Sequence, residues 1–163
     1  MVDYPAIQDG VVYMSPDGEL ATLHPGQVKE YRFNYGGEPV RMVSLMRMKK
    51  DGKVESMFMK IVMEGPLNVY EYFMSQNPSA FSSPQGRGYV PTIRQNAPYT
   101  STYVFQKAKG ALKFDHAGTG FKKEYGEYFS DCPALADLIA KGDFKRGDLI
   151  DIAIYYNTQC DKE

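Results

Sequence analysis

The amino-acid sequence predicts an α+β protein: an antiparallel β meander or curved sheet followed by about three C-terminal helices. Three observations lead there. Residues 11–73 are runs of alternating apolar and polar residues separated by turn chemistry. An Asp51-Gly52 pair sits between two of those runs. After Gly118-Thr119-Gly120 the apolar spacing changes from two to that of a helix and stays so to the end. With 163 residues and no internal repeat, the chain reads as a single α+β domain over 1–163, strand-rich from 9 to 115 and helical from 119 to 158.

The elements follow in order. VVYM (11–14) and ELATL (19–23) flank Pro16-Asp17-Gly18, a turn sequence. QVKEYRF (27–33) alternates until NYGGEP (34–39) breaks it. Then come VRMVSLMRMK and VESMFMKIVM on either side of Asp51-Gly52, a strong hairpin signal. If those two residues form the whole loop, Lys50 pairs with Lys53. Met46 then faces Met57, Ser44 faces Met59, Met42 faces Ile61 and Val40 faces Met63. That face is apolar and belongs to a core. The other mixes Arg41, Arg47, Lys49 and Lys60 with Val43, Leu45 and Phe58 and is partly wet.

Glu64-Gly65-Pro66 turns the chain into LNVYEYF (67–73), which extends the meander. Residues 75–98 carry four prolines and many small polar residues, although GYVPTIR is short-strand material. The segment reads as a flexible loop, with Phe81, Arg87, Tyr89 and Arg94 as candidate binding residues. YTSTYVFQK (99–107) and ALKFD (111–115) are the last strands. Phe121, Tyr125, Tyr128 and Phe129 then fall at helical spacing, as do Leu135, Leu138 and Ile139, and Leu149, Ile152, Ala153 and Tyr156. Asp131 and Pro133 mark the start of the second helix, Gly142 its end, and Asp148 the cap of the third.

Nineteen basic against twenty acidic residues, with no basic block, leave no electrostatic footprint for nucleic acid. No apolar run is long enough for a membrane span. The first residues, MVDYPAIQDG, lack the pattern of an export signal, so the chain reads either as cytosolic or as a mature form whose signal peptide was removed. Thirteen Tyr and nine Phe favour strands, and nine Met suit an adaptable interior.

The two cysteines lie at the ends of a predicted helical hairpin, helices 133–141 and 148–157. Antiparallel helices bring Cys132 and Cys160 together, a spacing that suits a disulfide; two thiols kept apart by fraying helix ends are the alternative. His24 and His116 do not complete a zinc spacing with them, so no metal and no cofactor are assigned.

Three stretches carry a resemblance: FMKIVMEGPLNVYEYF (58–73), YVFQKAKGALKFDHAGTGFKKEYGEYFSD (103–131), and the closing DCPALADLI with KRGDLIDIAIYYNTQC. They resemble a group of uncharacterised exported proteins of Bacteroidetes-type bacteria over roughly residues 40–160. The shared pattern falls here on Gly65, Leu67, Val69, Tyr70, Asp131, Pro133, Leu135, Ile139, Tyr156 and Asn157. The resemblance carries no activity. It implies a periplasmic or cell-envelope setting, where a Cys132–Cys160 bridge persists.

Other motifs have plainer readings. Met46-Arg47-Met48 and Met57-Phe58-Met59 spell a soft-metal site but read as core. Arg146-Gly147-Asp148 is a turn and a helix cap. HAGTGF (116–121) hints at an anion cradle but reads as a helix entry capped by Thr119. No catalytic constellation assembles. The expectation is a non-catalytic binding or interaction module of the bacterial cell envelope, with a protein or small-molecule partner met by a Tyr-rich exposed face and residues 75–98. A structural component that pairs through exposed strand edges is the alternative, and an enzyme the least favoured.

Overall fold

The computed structural model describes residues 10–160 apart from residues 50, 76–98, 109, 117 and 119. Strands come first and helices last, the α+β order that the change of period predicts. The described strands are β1 (Val11–Met14), β2 (Leu20–Leu23), β3 (Glu30–Tyr35), β4 (Glu38–Met48), β5 (Val54–Met63), β6 (Leu67–Ser75), β7 (Tyr99–Lys107) and β8 (Lys113–Phe114). Helices α1 (Phe121–Tyr128), α2 (Pro133–Lys141) and α3 (Leu149–Tyr155) follow. A 3-10 turn, Arg146–Asp148, precedes α3, and a π-helical turn, Tyr156–Cys160, succeeds it. β1 pairs with β2; β3 to β8 form a six-stranded meander in chain order. The described residues fall into two compact units. One takes the chain up to Lys60 and from Glu71 to Thr102; the other takes Ile61–Tyr70 and the chain from Tyr103 onward.

In the first unit, Gly36 and Gly37 both have positive φ (61° and 90°), so Tyr35 pairs with Glu38 across a two-residue turn. The β4–β5 hairpin departs from expectation. Its loop holds three residues, not two: Lys49 pairs with Lys53, and Gly52 at φ 80° closes a tight turn by donating its N–H to Lys49 O. Asp51 Oδ1 accepts the Lys53 N–H, which steadies this wider loop. The register therefore slips by one: Met46 pairs with Ser56, Ser44 with Phe58 and Met42 with Lys60.

A one-residue slip moves every side chain of β5 to the other face. Phe58 joins Val40 and Met42 in a core with Tyr31 and Phe33, where Tyr31 meets Phe58 edge-on at 4.8 Å. Met57 and Met59 are buried on the opposite face, paired with the half-buried Leu45 and Val43. That face also carries ion pairs, Glu30 with Arg41 and Arg32, and Glu55 with Arg47 and Lys49. Met46, expected in the core, is 71% exposed.

The second unit buries the apolar sides of all three helices. Tyr125 and Phe129 from α1, Leu135 and Ile139 from α2, and Leu149, Ile152 and Ala153 from α3 pack with Leu67, Val69 and Phe105 of the strands. These are positions that helical spacing singled out. Aromatic contacts run through the core, from Phe105–Tyr125 at 5.9 Å to Phe129–Tyr156 at 5.3 Å. α2 begins with Pro133 at a position where a missing N–H costs nothing. It ends at Gly142, φ 92°: Gly142 N–H donates to Ile139 O and Asp143 N–H to Leu138 O.

Two capping expectations are corrected. The Asp148 side chain does not cap α3; its Oδ2 turns back to accept the Lys145 N–H at 2.8 Å. The capping position of α1 falls on Gly120, φ 108°, and Thr119 lies outside the described residues. ALKFD shrinks to the two-residue strand β8.

Candidate functional site

Among the described residues, the second unit holds three polar groups, around Lys107, Arg146 and Asn157. Lys107, the last residue of β7, places Nζ between rings: 4.6 Å from the Tyr128 centroid and 5.1 Å from those of Phe129 and Tyr156. Nζ donates to Asp131 Oδ1 at 2.5 Å and to the Tyr128 carbonyl. Asp131 also accepts the Tyr156 hydroxyl at 2.6 Å. Burial alone would raise the Asp131 carboxyl, but the hydrogen bonds from Lys107 and Tyr156 outweigh it and hold it below the ordinary aspartate range. Burial pushes the Tyr128 phenol up to about 12.

A second cluster surrounds Arg146. Its Nη1 donates to Asp115 Oδ1 at 2.8 Å and to the His116 carbonyl, and its Nη2 to Gly118 O at 3.1 Å. The guanidinium lies 5.5 Å from the Phe121 ring, and Asp115 also accepts the Tyr125 hydroxyl at 2.8 Å. The glycine-rich stretch before α1 thus turns carbonyl oxygens towards a cation. That polarity is opposite to an anion cradle, in which N–H groups face the ligand. The Arg146-Gly147-Asp148 tripeptide is likewise spent within the fold, Arg146 on this loop and Asp148 on its own turn.

The third group joins the chain's end to the sheet. Cys132 and Cys160 form a disulfide, with Cα atoms 5.5 Å apart, as the hairpin geometry suggests. Within the π turn that ends at Cys160, the Asn157 amide grips one residue of β6. Its Oδ1 accepts the Leu67 N–H at 2.7 Å, and its Nδ2 donates to Leu67 O at 2.9 Å. Gly65 lies flat against that amide: a Cβ there would be 2.8 Å from Asn157 Cγ.

The sequence-predicted site residues fare unequally. Cys132 and Cys160 are brought together. Phe81, Arg87, Tyr89 and Arg94 lie outside the described residues. Met46 does not meet Met57 and Met59; they point to opposite faces of the sheet, so no thioether cluster forms from them. Among the described residues, no group of three His, Cys, Asp or Glu could hold a metal ion, and no helix is long and apolar enough to cross a membrane.

Of the tyrosines expected to form an exposed face, Tyr70, Tyr125 and Tyr156 are buried, and among the described residues only Tyr13 and Tyr35 are exposed. Among the described residues, exposed large apolar groups are mainly aliphatic, and all but Val62 and Ile154 belong to the first unit. Met14 pairs with Leu20, with Val12 beside them, and Met48 pairs with Val54 next to Met46. Sequence reasoning missed Lys107, Arg146 and Asn157, because their partners lie 21 to 90 residues away. Asn157 stood in the sequence only as a position of the shared pattern, beside Tyr156.

No family model, curated protein or solved structure matches the chain.

Proposed function

We propose that the protein is a non-catalytic interaction module of the bacterial cell envelope that meets a protein partner through the exposed hairpins of its first unit. The observation that carries this reading is the grouping of exposed apolar side chains there. Met46, Met48 and Val54 are 71%, 75% and 61% exposed and lie together on one face of the β4–β5 hairpin. Val12, Met14 and Leu20 repeat the pattern on β1–β2. Contiguous exposed apolar surface costs solvation and marks contact sites. By contrast, Lys107, Asp131, Arg146 and Asp115 are tied to internal partners, which supports a structural rather than a chemical use. The disulfide and the resemblance to exported proteins of Bacteroidetes-type bacteria support the envelope setting.

Two measurements test the reading. Alkylation of denatured protein from its native compartment, with and without prior reduction, should label the two cysteines only after reduction. Labelling without reduction would remove the envelope argument. Sedimentation should show a monomer across a wide concentration range, and saturable binding to an envelope component should be lost in a Met46→Ser/Met48→Ser/Val54→Ser variant. A mass that grows with concentration would favour the structural reading, in which strand edges pair with another chain. Turnover in a broad substrate screen would overturn both.

A further inference from the structure

The disulfide, the π turn and the Asn157 clamp are consecutive parts of one short segment. α3 is regular to Tyr155 and then widens into the π turn Tyr156–Cys160. π turns are rare and arise where a helix is made to present a particular residue. Here the widening carries Asn157 to Leu67, while the Thr158 hydroxyl donates to Ile154 O at 2.8 Å and steadies the distorted turn. At its far end Cys160 is bonded to Cys132, the residue just before α2. The segment is thus held at its start by Tyr156 on Asp131, in its middle by Asn157 on Leu67, and at its end by a covalent bond.

We infer that the Cys132–Cys160 disulfide is a redox-controlled latch on the Asn157 clamp. Oxidised, it keeps the π turn wound and the β5–β6 turn closed; reduced, it lets the turn relax, and Asn157 releases Leu67 while the helical core stays folded. Cys160 is half-buried and Cys132 buried, so an incoming thiolate meets Cys160 Sγ first. The reductant is a dithiol. Its first thiolate bonds to Cys160 Sγ, the Cys132–Cys160 bond breaks, and Cys132 leaves as a thiolate at the N-terminus of α2, where it takes up a proton. The reductant's second thiol then displaces Cys160, so two electrons and two protons pass to the protein and the reductant closes its own disulfide. The helix N-terminus favours the departing Cys132 thiolate. The latch does not depend on which partner the first unit binds.

The experiment is amide hydrogen exchange on the full chain, oxidised and reduced by a dithiol, read at Leu67 and at Ile139 in the core. A staple that merely stabilises the whole unit accelerates both amides together. The latch accelerates Leu67 at least tenfold more than Ile139, and renders Leu67 exchange insensitive to dilute urea, the mark of local opening. An Asn157→Ala variant, still oxidised, should reproduce the fast Leu67 exchange. Equal acceleration at the two amides, loss of all protection on reduction, or a protected Leu67 in Asn157→Ala would each overturn the latch.

Discussion

Replacing Gly65 by alanine tests the clamp with a single carbon atom. A Cβ at Gly65 would stand 2.8 Å from Asn157 Cγ and Nδ2 and 2.9 Å from Oδ1, closer than real Cβ atoms come to other heavy atoms. Gly65 is not among the glycines with positive φ, so the substitution carries no left-handed backbone strain. The Asn157 amide must move, and with it go the two hydrogen bonds to Leu67. Each is worth about 1 kcal/mol, and leaving the Leu67 N–H unpaired adds a further ~1 kcal/mol. Alanine returns about 0.5 kcal/mol by restricting the unfolded chain. The net expectation for Gly65→Ala is a loss of about 2.5 kcal/mol.

With Asn157→Ala already in place, the obstruction is gone, and Gly65→Ala should be neutral or slightly stabilising. Urea unfolding of the four proteins of this cycle, followed by tyrosine fluorescence with the disulfide intact, measures the coupling. A coupling of about 2.5 to 3 kcal/mol is expected. Additivity within about 0.5 kcal/mol would refute the reasoning, because it would mean that the two residues do not touch.

Three further expectations follow from particular residues. Gly52→Ala, at φ 80° with open space around it, should cost about 1 kcal/mol, and Gly52→Asn distinctly less, when urea midpoints are compared. The phenols of Tyr31 and Tyr125 are raised by burial, and Tyr128 is raised from 10.0 to about 12. The folded state keeps protons that the unfolded chain releases, so stability is full below about pH 10 and falls as pH rises through the folded values; urea midpoints across that window check it, and Tyr128→Phe should lessen the fall. At the acid end, hydrogen bonds from Arg41 and Arg32 pull Glu30 down to about 2, and Glu124 is lowered chiefly by Lys113. These contributions are present above the ordinary glutamate value and lost as pH falls through the folded ones. Glu30→Gln should flatten the acid limb at low salt and have less effect at high salt.

Much of the architecture is written in local pattern. Alternation in residues 11–73 and helical spacing after Gly120 are repeated many times over, so the α+β order, the three helices and their core residues Tyr125, Leu135, Ile139 and Ile152 follow from periodicity alone. The Cys132–Cys160 pairing was legible for a similar reason: a short link makes two helices antiparallel and brings their outer ends together. The β4–β5 register was not. Asp-Gly supports loops of two or three residues, and the choice turned on whether Gly52 would close the loop in a left-handed conformation while Asp51 bonded to Lys53. That one residue decided which methionines are buried. Nor was the clamp legible, since Asn157 and Leu67 are 90 residues apart and nothing local to either names the other. Periodicity determines which side of an element seeks an interior. Only the folded chain decides which polar group meets which, because those bonds form between segments that the hydrophobic core has already brought together.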